Sequence, residues 1–284
     1  MSSLYASIKK TERTYNVKVD LVIICGDFQS IRNETDLKCI SCPDKYKTIG
    51  DFHKYYSGEI LAPYMTLFIG GNHESSNYLS ELYYGGWVCK NIYYIGGSGV
   101  VNLNGLRIAG LSGIYKDNHF DMSQYEKMPY DNNTIRSVYH VRKFNWQKLM
   151  QMFSYNLGST PNNDLLVHLK PSYWFSAHLH YSQNQNSKIT KFLALDKCLP
   201  RRQFLQIIDI PTKNENEQNK INDTSEKTEI TNEATTEKIN LNIYENEFVQ
   251  TAPYYPNNSE LDKSFENPQT KKFCEQLAID LPPF

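Results

Sequence analysis

Apolar and polar residues fall along this chain in blocks, and the period within each block predicts its structure. Leu4, Ile8 and Tyr15 share one face of a helix while Lys9, Lys10, Glu12 and Arg13 lie mostly on the others, so a short amphipathic helix opens the chain. Val19 to Cys25 is an apolar, β-branched run of the kind buried on both faces of a layered sheet, and Gly26-Asp27 ends it. Met65 to Ile69 repeats the pattern and runs into Gly70-Gly71-Asn72-His73-Glu74. Further strands are expected at Ile92–Ile95, Val100–Leu103 and Leu106–Leu111, the last two joined by an Asn104-Gly105 hairpin turn. Trp146, Leu149, Met150 and Phe153 mark a later helix, and Trp174 to Ala177 a short buried strand that leads into His178-Leu179-His180. Between them, Tyr115 to Val141 is polar, aromatic and aperiodic, a length of irregular chain that compact domains keep mainly for function. The alternation of strands, helices and a hairpin predicts a layered α/β sandwich.

Composition changes this picture mainly at the end of the chain. Residues 213 to 240 are rich in Asn, Glu, Thr and Lys and nearly free of aromatics, too little apolar surface to offset the entropy of ordering. A linker is expected there, before Tyr244 to Phe284 regains aromatic and aliphatic residues and packs back. The net charge of −1 conceals an asymmetry: residues 1 to 210 are net +6 and residues 211 to 284 net −7. A mildly basic body is compatible with a polyanionic partner without requiring one. No apolar run reaches the ~18 residues of a membrane span, and there is no secretory leader pattern, so an intracellular protein without a membrane partner is expected. The six cysteines are scattered, as in a reducing compartment. Cys39 and Cys42 form a C-x-x-C, but with no second Cys or His pair at finger spacing a zinc or redox role is not expected of it.

The candidate chemistry sits in the polar residues at three strand ends: Gly26-Asp27, Gly70-Gly71-Asn72-His73-Glu74 and His178-Leu179-His180. Open α/β sheets place ligands at such ends. Carboxylate, amide and imidazole are the mixture that holds a pair of divalent ions, and such a pair suits phosphodiester hydrolysis. Taken singly, Asp27 serves equally as a helix cap, Asn72-His73-Glu74 as a turn and the H-x-H as a structural histidine pair. Their joint appearance, each after a buried strand, favours the site.

The stretches CGDFQSIRNETDL, FIGGNHESSNYLSELYYGGWV, NIYYIGGSGVV and GLSGIYK, then YDNNTIRSVYHVR, LKPSYWFSAHLH and FLALDKCLPRRQFLQI, resemble successive motifs of the lariat debranching enzyme family within the calcineurin-like metallophosphoesterases. The match runs from about Leu4 to Ile208, with weaker similarity at NPQTKKFCEQL. It implies a layered β-sandwich metallophosphoesterase fold flanked by helices over residues 1–212, a low-complexity linker over 213–243 and a C-terminal appendage over 244–284. It further implies hydrolysis of the 2′-5′ phosphodiester at the branch point of excised intron lariat RNA, in the nucleus with shuttling to the cytoplasm. Asp27 becomes the bridging carboxylate, Asn72 and His178 ligands of one ion, His180 a ligand of the other, and His73 the catalytic histidine at the phosphate. The ions implied are two from Fe, Zn and Mn. Lys116 to Arg142 corresponds to the family's recognition loop, where Arg136, Tyr139, His140 and Arg142 are candidates to hold phosphates or bases of branched RNA. DNA is not expected as a partner, and nothing in the sequence sets an oligomeric state.

Two parts of the family pattern are absent: an opening strand ending in Gly-Cys-x-His, and a strand with a Ser-His-Asp-Trp motif after Phe153. His168 lies in LLVHLKP and is a poor substitute for the second. Two core strands would then be missing, at ~1.5–3 kcal/mol for each large side chain left unburied, and metal binding would be weakened. An impaired relative that only binds branched RNA or a partner is the alternative expectation. A phosphoprotein phosphatase reading fails because Gly26-Asp27 is followed by Phe-Gln-Ser, without that group's Asp-Arg-Gly.

Overall fold

The computed structural model describes residues 1–153, 165, 169–177, 183–186, 190–199, 201–211, 248, 250 and 266–277. The first helix, α1 (Ser2–Tyr15), buries Tyr5 and Ile8, and the Tyr5 hydroxyl lies 2.9 Å from that of Thr66. Tyr15, expected on the inner face, is instead 71% exposed. It occupies the last turn, just before Asn16 ends the helix in a left-handed conformation.

The chain continues through β1 (Leu21–Cys25), α2 (Glu34–Lys38), α3 (Phe52–Tyr56), β2 (Met65–Ile69), α4 (Ser76–Glu81), β3 (Gly86–Cys89) and β4 (Ile92–Tyr94). The four strands form one sheet in the order β1-β2-β4-β3, with β1, β2 and β4 parallel and β3 antiparallel. Because side chains alternate across a strand, Leu67 and Phe68 of β2 face opposite layers and both are fully buried. Phe68 joins Tyr5, Ile8, Phe28, Phe52 and Tyr94 on the helical side. Leu67 joins Trp87, Tyr93, Val101 and Leu103 on the other. The expectation of burial on both faces fails for β1, where only Val22 is buried. β1 ends the sheet on one side; β3, which ends it on the other, is buried throughout and has the last described helix along it.

The second layer is a hairpin of β5 (Ser98–Leu103) and β6 (Leu106–Leu111), closed by Asn104 and Gly105, both left-handed as a two-residue turn requires. After α5 (Asp117–Phe120) and α6 (Thr134–Ser137), α7 (Lys143–Phe153) lays Leu149 and Met150 against Val100 and Leu111 of the hairpin. A further sheet pairs β7 (Tyr173–Ser176) in parallel with β9 (Lys191–Ala194), and β9 with the antiparallel β8 (Gln183–Asn186). The linker expected at 213–243 lies outside the described residues. Among those residues no helix is long and apolar enough to cross a membrane.

The last helix, α8 (Pro268–Leu277), lies along β3. The Gln269 side chain accepts from Trp87 N–H at 2.7 Å and donates to Trp87 C=O at 2.9 Å, so it occupies the outer edge of the sheet as another strand would. Phe273 packs on Tyr84 with ring centroids 5.0 Å apart. Gln269→Ala leaves two buried peptide groups without these partners, so a loss of ~1–3 kcal/mol is expected. Urea denaturation checks it, and an unchanged midpoint would mean that water takes over both bonds.

Candidate active site

The site is built where the loops after β1 and β2 touch. Asp27 has φ 52 and Gln29 φ 60, conformations that non-glycine residues adopt at a cost and keep only where the surroundings hold them. Glu74 holds them here. Its Oε1 accepts the N–H groups of Phe28 and Gly71, and its Oε2 that of Gln29, all at 2.9 Å, so one buried carboxylate ties the two loops together. Burial pushes the Glu74 carboxyl up to about 7 against the pull of these donors, and the neighbouring Asp27 carboxylate adds to the rise. The approach of the loops requires glycine at 71. A Cβ there would lie 2.6 Å from Asp27 N and collide with Asp27 Oδ1.

In this arrangement the Asp27 carboxylate accepts His73 N–H at 3.0 Å. That contact sets the Asp27 carboxylate against the His73 backbone, with Asn72 the preceding residue, and all three are half-buried. The His73 ring is fixed at both nitrogens. Nδ1 lies 2.9 Å from the Ser41 carbonyl, which can only accept, so Nδ1 carries the proton in the neutral ring. Nε2 then accepts from the Asn72 amide at 3.1 Å. His178 and His180 lie outside the described residues, and among the described residues no three His, Cys, Asp or Glu side chains converge on one point.

Behind the site, an unforeseen ion cluster locks the β1 loop to α4. Arg32 is 1% exposed and pairs with Asp36 at 2.8 Å and Glu81 at 2.8 Å, its guanidinium 3.7 Å from the Tyr78 ring centroid. Asn77 donates to Asp36 at 2.6 Å. Burial opposes the charge of Arg32, but Asp36 and Glu81 overcome it and hold the guanidinium well above its ordinary range.

The expected recognition segment reaches the same loops. Gly70 N–H donates to Ser112 Oγ, Gly113 N–H donates to Gly70 C=O at 2.7 Å, and Ile114 pairs with the Tyr139–Val141 backbone. A cavity of 60 Å³ is lined by Gly70, Gly71 and Glu74 on one side and Tyr139 and His140 on the other. Arg136 is exposed. Arg142 is placed differently from the other candidates: it is 2% exposed, pairs with Glu126 at 2.5 Å and donates to His119 C=O at 2.9 Å. It therefore organises the segment from within instead of offering an open guanidinium.

His140 Nδ1 lies 3.0 Å from His119 Nδ1, and burial, then His119 and Arg142, push its imidazole down to about 4. The folded protein thus binds fewer protons here than the unfolded chain between the ordinary value of 6.5 and about 4. Stability contributed by neutral His140 is present above 6.5 and is lost as pH falls through that window. His140→Gln is expected to flatten the melting temperature over this range. An identical pH slope in the variant would assign the loss to other groups.

Comparison with known proteins agrees with this geometry. The chain matches the calcineurin-like phosphoesterase family over residues 3–182 and the lariat debranching enzyme C-terminal domain over residues 187–223 and 214–282. It is 46% identical over 256 residues to lariat debranching enzyme A of Xenopus laevis, covering 74% of this chain and 48% of that protein. It is 46% identical over 252 residues to the Arabidopsis thaliana lariat debranching enzyme (74% and 60%) and 44% over 257 residues to that of Homo sapiens (74% and 47%). The chain thus spans about half the length of the animal relatives and 60% of the plant one. Metallophosphoesterases use divalent ions, and the donor types fit them: a carboxylate at Asp27 and an amide at Asn72, on two loops that Gly71 lets approach. A layered α/β fold with Asp27, Asn72 and His73 at adjoining strand ends, matched over residues 3–182, makes this chain a member of the calcineurin-like phosphoesterase family.

Proposed function

We propose that the protein hydrolyses the 2′-5′ phosphodiester at the branch point of lariat RNA. The observation that carries this reading is the shared cavity, which sets the segment with Tyr139 and His140 against the Gly70-Gly71 loop beside Asp27 and His73. A branched nucleotide has a phosphate to cleave and an additional strand to recognise, and the walls of this small cavity set residues proposed for each task side by side. Asp27, Asn72, His178 and His180 would hold two ions drawn from Fe, Zn and Mn, which when bound supply Lewis acidity at the phosphate oxygens.

The chain's own contribution is positioning. The Glu74 clamp holds the backbone next to Asp27 and next to Asn72, so the loops that carry the carboxylate and the amide are tied before anything binds. The Ser41 carbonyl keeps the proton on His73 Nδ1, so Nε2, which accepts from the Asn72 amide here, is the nitrogen that would take a second proton once that amide turns to an ion. Protonated at Nε2, His73 donates to a phosphate oxygen or to the departing 2′ oxygen. Arg136, Tyr139 and His140 are the proposed RNA contacts, with Arg142 holding their backbone. An intron substrate places the activity in the nucleus.

The test is cleavage of a synthetic branched oligoribonucleotide beside a linear 3′-5′ control, with Mn2+ added. The reading expects release of the 2′-linked strand alone. Equal cleavage of both, or of neither, would sink it.

A further inference from the structure

The C-x-x-C formed by Cys39 and Cys42 takes no part in the hydrolytic chemistry, yet it encloses the residue that orients His73. Ser41 lies between the two cysteines, and its carbonyl is the acceptor for His73 Nδ1–H at 2.9 Å. Cys39 closes α2 with its N–H on Asp36 C=O, and Cys42 N–H donates to Ile40 C=O at 3.0 Å, so the backbone around Ser41 is a tight turn. Ile40 is buried and anchors it. Both cysteines are thiols, Cys39 buried and Cys42 half-buried.

We propose that this turn is the positioning element for His73, and that joining Cys39 to Cys42 as a disulfide withdraws the Ser41 carbonyl and makes the site sensitive to thiol–disulfide exchange. The inference rests on the reading of His73 as the histidine at the phosphate. A disulfide fixes Cα atoms about 4.4–6.8 Å apart with a dihedral near 90°. In a ring with only two intervening residues, that constraint falls on the torsions of Ile40 and Ser41, which aim the carbonyl. A hydrogen bond weakens steeply once its angle falls below about 120°, so a modest peptide rotation is enough to release the imidazole.

The exchange uses a glutathione-type disulfide as oxidant. The Cys42 thiolate attacks one of its sulfurs and expels a thiolate, which takes up the proton Cys42 has lost. Cys39 sulfur then displaces the second thiol from the mixed disulfide, and the Cys39 proton passes to it. Two protein thiols are oxidised by two electrons, the oxidant becomes two thiols, and a dithiol reverses the change. Burial raises the Cys42 thiol above its ordinary value, so the exchange is slow at neutral pH and faster in mildly alkaline solution.

The test reads His73 directly. Full-length protein labelled with nitrogen-15 in histidine is observed by long-range proton–nitrogen NMR, first reduced and then with excess oxidised glutathione in mildly alkaline buffer. Peptide mass mapping scores the Cys39–Cys42 bond, and the missing signals of His73→Ala assign the ring. The reduced protein should show His73 in the Nδ1–H form. The oxidised protein should lose that form, recover it with dithiothreitol, and show no change as Cys42→Ser. On the branched oligonucleotide, kcat should fall about tenfold or more on oxidation, within the range of losing a positioned acid or base. A mapped Cys39–Cys42 disulfide with unchanged His73 signals would overturn the proposal. So would failure of that disulfide to form while exposed Cys198 becomes glutathionylated. A reduced protein that does not cleave branched RNA defeats the functional reading instead, and the tautomer measurement still decides the positioning claim.

Discussion

Replacing His73 by alanine is expected to lower kcat on a branched oligoribonucleotide by about 10²- to 10⁴-fold, the usual worth of a positioned acid or base, while leaving metal content nearly unchanged. The separation follows from the geometry. His73 Nδ1 is committed to Ser41 C=O and its backbone N–H to Asp27, so removing the ring spares the Asp27 carboxylate and its contact with the β2 loop. Elemental analysis alongside the rate decides the role. Metal lost in proportion to activity would make His73 a ligand. A kcat within about threefold of the parent, far below that range, would remove it from the chemistry altogether.

The largest stability effect is expected at Arg32. Arg32→Met removes the only cation described in a buried cluster with two carboxylates, and leaves Asp36 and Glu81 without it at 2.8 Å. Breaking a buried pair in this way costs about 3–5 kcal/mol, a large part of the ~5–15 kcal/mol that holds a domain of this kind. Because the cluster joins the loop after β1 to α4, the loss should also blur the Asp27–His73 contact. Urea denaturation of Arg32→Met and the milder Arg32→Lys checks this. Lysine keeps the charge but cannot bond both carboxylates through a planar fork, so it should fall between the parent and methionine. A shift under about 1 kcal/mol for methionine would show that water reaches the cluster.

The elements legible in the sequence were those whose pattern is local. Met65 to Ile69 and Leu106 to Leu111 appear where the sequence predicts, because short apolar segments with a glycine at one boundary, Gly70 after the first and Gly105 before the second, have few other folds. β3 escaped notice because Gly86-Trp87-Val88-Cys89 follows a second glycine and resembles a turn, and only pairing with β4 and Gln269 makes it a strand. The same division holds in the site. Asp27, Asn72 and His73 were readable from their motifs, whereas the clamp role of Glu74 depends on donors about 45 residues upstream and Ser41 on a contact 32 residues away. Arg142 is a candidate RNA contact only through the resemblance of its segment to the family's recognition loop. Its partner in the structure, Glu126, sits 16 residues earlier at no recognisable spacing.

Loops held together by Glu74 are proposed to form a phosphodiesterase site, with the segment of Tyr139 and His140 as its recognition element across a shared cavity. The most direct measurement is the ratio of 2′-5′ to 3′-5′ cleavage on one oligoribonucleotide that carries both bonds, for the parent and for Asp27→Asn. Cleavage is expected at the 2′-5′ bond only, dependent on added divalent ions and abolished by Asp27→Asn. Cleavage of the branch that persists in Asp27→Asn, or a parent protein that cuts the 3′-5′ bonds as readily, would contradict this proposal.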